Sequence, residues 1–157
     1  MRLALYQPDI PQNLGAMLRL AACLNVGVDI IEPCGFPLDD KRIKRSGMDY
    51  LADIEFSRHK SWNKFLSVKS GRVILLTTKG STSLLSFEFR ANDILLLGRE
   101  SAGVPEIVHE ECDGRLLIPM AEGKRSLNVA VAAAIALGEG LRQTNGFPPL
   151  VEIEGEI

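Results

Sequence analysis

The stretch from Ile118 to Leu137 limits the folds open to this chain more than any other. It reads Ile118-Pro-Met-Ala-Glu-Gly-Lys-Arg-Ser-Leu-Asn128 and runs on into Val129-Ala-Val-Ala-Ala-Ala-Ile-Ala-Leu137. A strand ends near Ile118, a polar, glycine-bearing loop follows, and a long apolar segment starts at Leu127. Ser126 is the expected N-cap, because its hydroxyl can accept from an unpaired first-turn N–H. Beyond it Val129, Val131, Ile135 and Leu137 point in different directions around the helix, with alanines between them. A helix that is apolar all round must be covered all round, by its own core, by a second copy of the chain, or by both.

The rest of the chain supplies a sheet for that helix to rest on. Arg2–Tyr6, Val28–Ile31, Arg72–Thr77, Asp93–Leu97 and Arg115–Ile118 read as strands, and Ile54–Phe56 as a shorter one. Helices are expected from the end of the loop Gln7–Asn13 to about Asn25, over Trp62–Leu66, and from Pro105 to about Glu110. The first carries Leu14, Met17, Leu18, Ala21 and Leu24 at helical spacing. Leu38–Ser46 reads as a charged helix with Lys41, Arg42, Lys44 and Arg45, and the chain from Asn145 as a loosely held end. Strands alternating with helices, with several strands apolar on both faces, predict a mostly parallel α/β sheet covered by helices on both sides.

Composition narrows the function. A chain of 157 residues with 46% hydrophobic and 24% charged residues is the size and make-up of one globular domain. Its longest apolar run is too short for a bilayer, and Met1–Tyr6 leads into a strand instead of a signal peptide. Cys23, Cys34 and Cys112 are odd in number and far apart, so they read as reduced residues packed in a cytoplasmic protein and not as a metal or disulfide framework. A net charge of −2 gives no global attraction for polyanions, so a nucleic-acid site has to be a local patch.

Three polar loops follow three strand ends: Thr77–Ser83, Gly98–Pro105 and Pro119–Ser126. Ligands of parallel α/β sheets sit outside the carboxyl ends of the strands, which makes these loops a site for a small polar ligand. Gly98 and Gly103 serve either turn geometry or close backbone approach to that ligand. A dinucleotide fingerprint is absent after any strand. Gly123-Lys-Arg-Ser126 lacks the upstream glycine of a P-loop, which falls on Ile118. Gly98–Gly103 is one residue too long for a nucleophile elbow, and His59 and His109, read as surface residues away from the loops, offer Ser101 no base.

Asn13 with Arg19, then Leu97-Gly-Arg-Glu-Ser-Ala-Gly-Val-Pro105, then Ile118-Pro-Met120 with Ser126-Leu-Asn128, resemble the three motifs of the SPOUT RNA 2′-O-methyltransferases. With Pro8–Asn13, Ile31-Glu-Pro33, Asp39-Asp-Lys-Arg42, Asp49-Tyr50 and Leu76–Gly80, the resemblance extends nearly end to end to the small TrmL (YibK) subfamily. It implies methylation of the ribose at the wobble position of certain leucine tRNAs, with S-adenosylmethionine as donor and no metal. It also implies a homodimer, and a deep trefoil knot near the C-terminus that a reading of the sequence alone would reject. By match, Leu76, Gly98, Glu100, Gly103, Ile118, Met120, Ser126 and Asn128 belong to the cofactor site, and Asn13 to the substrate site. Arg19, off the apolar stripe of its helix and otherwise a solvated arginine, becomes the catalytic candidate. A guanidinium is a poor base, so its role is to orient the nucleotide and stabilise negative charge on the attacking oxygen. Lys41, Arg42, Lys44 and Arg45 are either a solvated face or a phosphate-binding patch. Two other classes stay open: a 2′-O-methyltransferase of rRNA or another tRNA site, and a non-catalytic nucleotide- or RNA-binding module.

Overall fold

The computed structural model describes residues 1–38 and 54–150. From residue 39 on, the charged helix expected over Leu38–Ser46, and with it Lys41, Arg42, Lys44 and Arg45, lies outside those residues.

Strands β1 (Arg2–Tyr6), β2 (Gly27–Ile31), β3 (Phe56–His59), β4 (Val73–Leu76), β5 (Thr82–Ser83), β6 (Ile94–Leu97) and β7 (Gly114–Leu117) form one sheet in the order β3-β2-β1-β6-β4-β7-β5. Every pairing within it is parallel. The chain builds outward from β1 to β3, crosses to β4 and β5, and then lays β6 between β1 and β4, and β7 between β4 and β5.

Because side chains of a strand alternate between faces, each central strand feeds two cores. Leu3, Leu5, Leu95 and Leu97 face α1 (Pro11–Cys23) and α4 (Val129–Gln143), packing with Leu14, Met17, Leu18, Ala133, Ala136 and Leu137. Ala4, Tyr6, Leu75, Ile94 and Leu96 face the other way, onto Trp62 and Phe65 of α2 (Trp62–Val68) and Val108 of α3 (Glu106–Glu111). Strands apolar at every position are therefore strands buried on both sides, as expected of a parallel sheet.

Several expectations are corrected. Helix α1 starts at Pro11, inside the segment read as loop, because proline at the first helical position loses no hydrogen bond; Asn13 therefore sits in its first turn. Ser126 does not cap α4. Asn128 does, its side chain accepting from the Ala130 and Val131 N–H groups. The short strand expected over Ile54–Phe56 starts only at Phe56 and runs to His59, paired with β2, and β5 falls in a segment read wholly as loop. His59 is no surface residue: it is buried against Asp29 at 2.7 Å, whose other carboxylate oxygen takes the Arg2 Nε, also at 2.7 Å. Ion pairing offsets the desolvation that makes a lone buried charge costly. Of the cysteines, Cys112 is buried, Cys34 half-buried, and Cys23 exposed instead of packed.

Candidate active site

The carboxyl ends of β4, β6 and β7 open into one cleft of about 670 Å³, within the range of small-molecule sites. All three loops singled out in the sequence reach it. Leu76, Thr77 and Thr78 come from the loop after β4, Gly98, Arg99, Glu100 and Gly103 from that after β6, and Ile118, Met120, Lys124 and Ser126 from that after β7. Asn13 of α1 and Asn128 at the head of α4 complete the wall. Every residue assigned to the cofactor by resemblance thus lines a single cavity.

The loop after β6 is stapled to itself. Arg99 and Gly103 exchange both backbone hydrogen bonds, each 2.9 Å. Gly103 takes φ +65°, which L residues with a Cβ adopt at a cost, and a Cβ on Gly98 would stand 2.8 Å from the Gly103 Cα. The glycines are needed for the turn, and the turn is what brings bare backbone to the cleft floor.

Behind that floor lies a polar network. The Asp9 N–H donates to Glu100 Oε2 and the Glu100 N–H to Asp9 Oδ1, both at 3.0 Å, while the Ser101 hydroxyl donates to Asp9 Oδ2. Asn128 Nδ2 donates to Asn13 Oδ1 at 3.0 Å, and Asn13 faces Glu100. Three chain segments remote in sequence are tied here: the loop after β1, the loop after β6 and the start of α4. Hydrogen bonds from Glu100 and Ser101 hold the Asp9 carboxyl at about 2. Burial first, and Asp9 second, push Glu100 above the ordinary carboxylate range, with Asn13 opposing. Glu100 Oε1 is buried without a hydrogen-bond partner, and so is Arg99 Nε.

Asp9 was missed in the sequence. Its signal is weak: an acid four residues beyond Leu5 matters only because Leu5 pairs with Leu97, which brings the two loops side by side. Arg19, by contrast, is not among the residues that line the cleft. It is exposed on α1, and lies about 9 Å along the helix from Asn13. Neither histidine lines the cleft, and Ser101 is occupied by Asp9.

Among the described residues no cluster of His, Cys, Asp and Glu is arranged to hold a metal ion, and no helix is long and apolar enough to cross a membrane. The fold and cleft together define a parallel α/β protein that takes a small ligand at the carboxyl ends of its central strands, with glycine-borne backbone on the floor and a half-buried acid, Glu100, beside it. Residues 1–138 match the model of the SpoU rRNA Methylase family, and the chain belongs to that family. Its relatives include a tRNA (cytidine(34)-2′-O)-methyltransferase from Beijerinckia indica subsp. indica, 55% identical and covering 96% of each chain. One of the same description from Escherichia coli (strain K12) is 34% identical over 96% of this chain and 98% of its own. Among solved structures, one described under structural insights into the 2-OH methylation of C/U34 on tRNA superposes with a TM-score of 0.84 at 42% identity, covering 90% of this chain and 94% of the other. The SpoU methyltransferase AviRb from Streptomyces viridochromogenes, solved in complex with the cofactor AdoMet, superposes at 0.80 with 26% identity, over 91% of this chain and 60% of its own.

Proposed function

We propose that this protein transfers a methyl group from S-adenosylmethionine to the ribose 2′-hydroxyl of the wobble nucleotide of tRNA, leucine tRNAs among them, as a single-domain cytoplasmic homodimer. The observation that carries the reading is the meeting of the three loops in one cleft, in a chain whose full-length relatives are described as tRNA (cytidine(34)-2′-O)-methyltransferases.

The cleft suits the donor. Leu76, Ile118 and Leu127 provide apolar wall, Gly98 leaves room for close approach, and Glu100, Ser126 and Asn128 provide polar groups at the edge. When bound, S-adenosylmethionine supplies a methyl group on a positively charged sulfur. The chain's part is to hold the ribose oxygen in line with that methyl, keep water out, and receive the hydroxyl proton. The position of β6 and β7 between strands laid earlier supports a trefoil knot in the C-terminal half.

The dimer rests on apolar surface. Ile10, Leu127, Val131 and Ile135 are each at least 40% exposed, and they lie along the cleft mouth and the outer face of α4. Arg19, exposed on the helix that packs beside α4, serves the cleft of the second copy, where it orients the nucleotide and stabilises charge on the attacking oxygen. Lys41, Arg42, Lys44 and Arg45 supply phosphate contacts, which position an RNA without naming its sequence.

The test is incubation with S-adenosylmethionine carrying a labelled methyl group and, separately, total tRNA or rRNA. Label in tRNA alone supports the reading. Label in rRNA alone, or in neither, overturns it.

A further inference from the structure

We propose that Lys60, Lys79, Lys124 and Arg125 form a track for the sugar-phosphate backbone of the RNA on either side of the nucleotide that enters the cleft. The inference deepens the function proposed above and rests on it.

The two ends of the sheet carry their charge differently. At the amino ends of the strands the cations are paired: Arg2 with Asp29 and Glu55, Lys69 with Asp113, and Arg72 with Asp93. Arg90 and Glu88 are exposed there without an ion pair among the described residues, one of each sign. At the carboxyl ends Arg58 is paired with Glu32, and Arg99 with Asp9. Lys60 after β3, Lys79 after β4, and Lys124 and Arg125 after β7 are all exposed, and none of them makes an ion pair among the described residues. Against them stands one exposed acid without a pair, Glu122. In a chain whose net charge is −2, this is a local positive rim at one end of the sheet.

The rim does not serve the methyl donor. S-adenosylmethionine sets a sulfonium and an ammonium against a single carboxylate, so it is a net cation and the rim repels it. An anion is what the rim attracts, and the spacing asks for a long one. Neighbouring strands lie about 4.8 Å apart, and β7 is five places from β3 in the sheet, so the loops bearing Lys60 and Arg125 start roughly 24 Å apart. The cleft opens within that span, at the ends of β6, β4 and β7. Lys124 lines it, and Lys79 follows the lining residues Thr77 and Thr78. A free phosphate or a single nucleotide cannot reach from one side to the other, whereas a polynucleotide does.

The contacts therefore divide at the cleft. Backbone on one side of the reacting nucleotide passes over Lys60, and backbone on the other side over Lys79, Lys124 and Arg125. Each phosphate met releases counterions, and none of these contacts reads a base. The track supplies affinity and register, and leaves the choice of nucleotide to the cleft.

The experiment measures binding of unmodified tRNA by fluorescence anisotropy between about 0.05 and 0.3 M salt, for the parent and two variants. The first is Lys60→Gln/Lys79→Gln/Arg125→Gln, three residues that do not line the cleft. At about 0.7 per single-strand contact, its salt slope should fall by about 2 and its affinity at about 0.1 M salt by roughly 100-fold. Its affinity for S-adenosylhomocysteine, from calorimetry, should stay within about threefold of the parent. The second variant, Arg90→Glu, makes the chain more negative from the amino end of the sheet, and should keep the parent slope and bind tRNA within about threefold of the parent. A triple variant with the parent slope overturns the track, and so does an Arg90→Glu variant weakened as much as the triple one, which would make net charge the cause. Loss of S-adenosylhomocysteine affinity in the triple variant overturns it too, by tying these residues to the donor site. Parent protein that binds tRNA through the track and leaves the ribose unmethylated upholds the track and sinks the proposed function; parent protein that binds no tRNA overturns the track.

Discussion

Replacing Gly98 by alanine puts a methyl group at the tightest point of the cleft floor. That carbon would stand 2.7 Å from the Gly103 carbonyl carbon and 2.8 Å from its Cα. Carbon atoms in contact need about 3.5 Å, so the two strands of the loop have to separate by roughly 0.7 Å. Neither can move freely. Gly98 follows Leu96 and Leu97, which are 0% and 2% exposed in the middle of the sheet, and Gly103 is tied to Arg99 by two 2.9 Å bonds. Overpacking of this kind costs about 1–3 kcal/mol. At about 2–4 °C per kcal/mol for a chain of this size, the melting temperature falls by roughly 2–12 °C. If the loop yields and the protein folds, the displaced floor no longer meets the ligand, and the same energy lost from binding is roughly a 5- to 150-fold weakening. Calorimetry with S-adenosylhomocysteine, alongside thermal unfolding, measures both. A variant that binds and melts like the parent shows that the loop is slack and that Gly98 does not form the floor.

Asn128→Ala removes the cap of α4 and the bond to Asn13 together, and should cost about 1 kcal/mol in denaturant unfolding. Ile135→Glu, at a side chain 42% exposed on α4, should yield monomer in sedimentation while keeping the circular dichroism of the parent; by contrast Ala136 is fully buried, so a charge there should unfold the chain. Arg19→Ala mixed with a second variant whose cleft is blocked, Gly98→Trp, should recover about a quarter of the parent rate if Arg19 serves the partner's cleft, half the dimers being mixed with one intact site each; no recovery places both residues in one subunit's site. Neutralising Lys41 and Arg42 together should weaken tRNA binding and flatten its salt dependence by roughly two phosphate contacts, with cofactor affinity unchanged.

Most of the sheet was legible because a buried parallel strand leaves an unmistakable record: Ile94–Leu97 is apolar at every position, and nothing but burial on both faces explains it. The cleft was legible for a related reason, since glycine and small hydroxyl residues recur at three strand ends. What stayed hidden depended on which strands are neighbours. His59 looks like a surface residue until β3 is placed beside β2 and Asp29 faces it. Asp9 looks like a turn residue until β1 is placed beside β6. The N-cap was displaced by two residues because Ser126 and Asn128 are equally good caps by type; Asn128 caps α4 while its amide also reaches Asn13 across the cleft. Pairing order is a long-range property, and local patterns do not encode it.

The central claim is the transfer of a methyl group to one ribose oxygen of tRNA, and mapping the product tests it most directly. Leucine tRNA lacking modifications, treated with the protein and S-adenosylmethionine, is cut with nucleases and sequenced by mass spectrometry. The account predicts a gain of one methyl on the ribose of nucleotide 34 and at no other position, lost or strongly reduced when Arg19→Ala replaces the parent. A methyl group on a base, or on a ribose outside the anticodon loop, contradicts it.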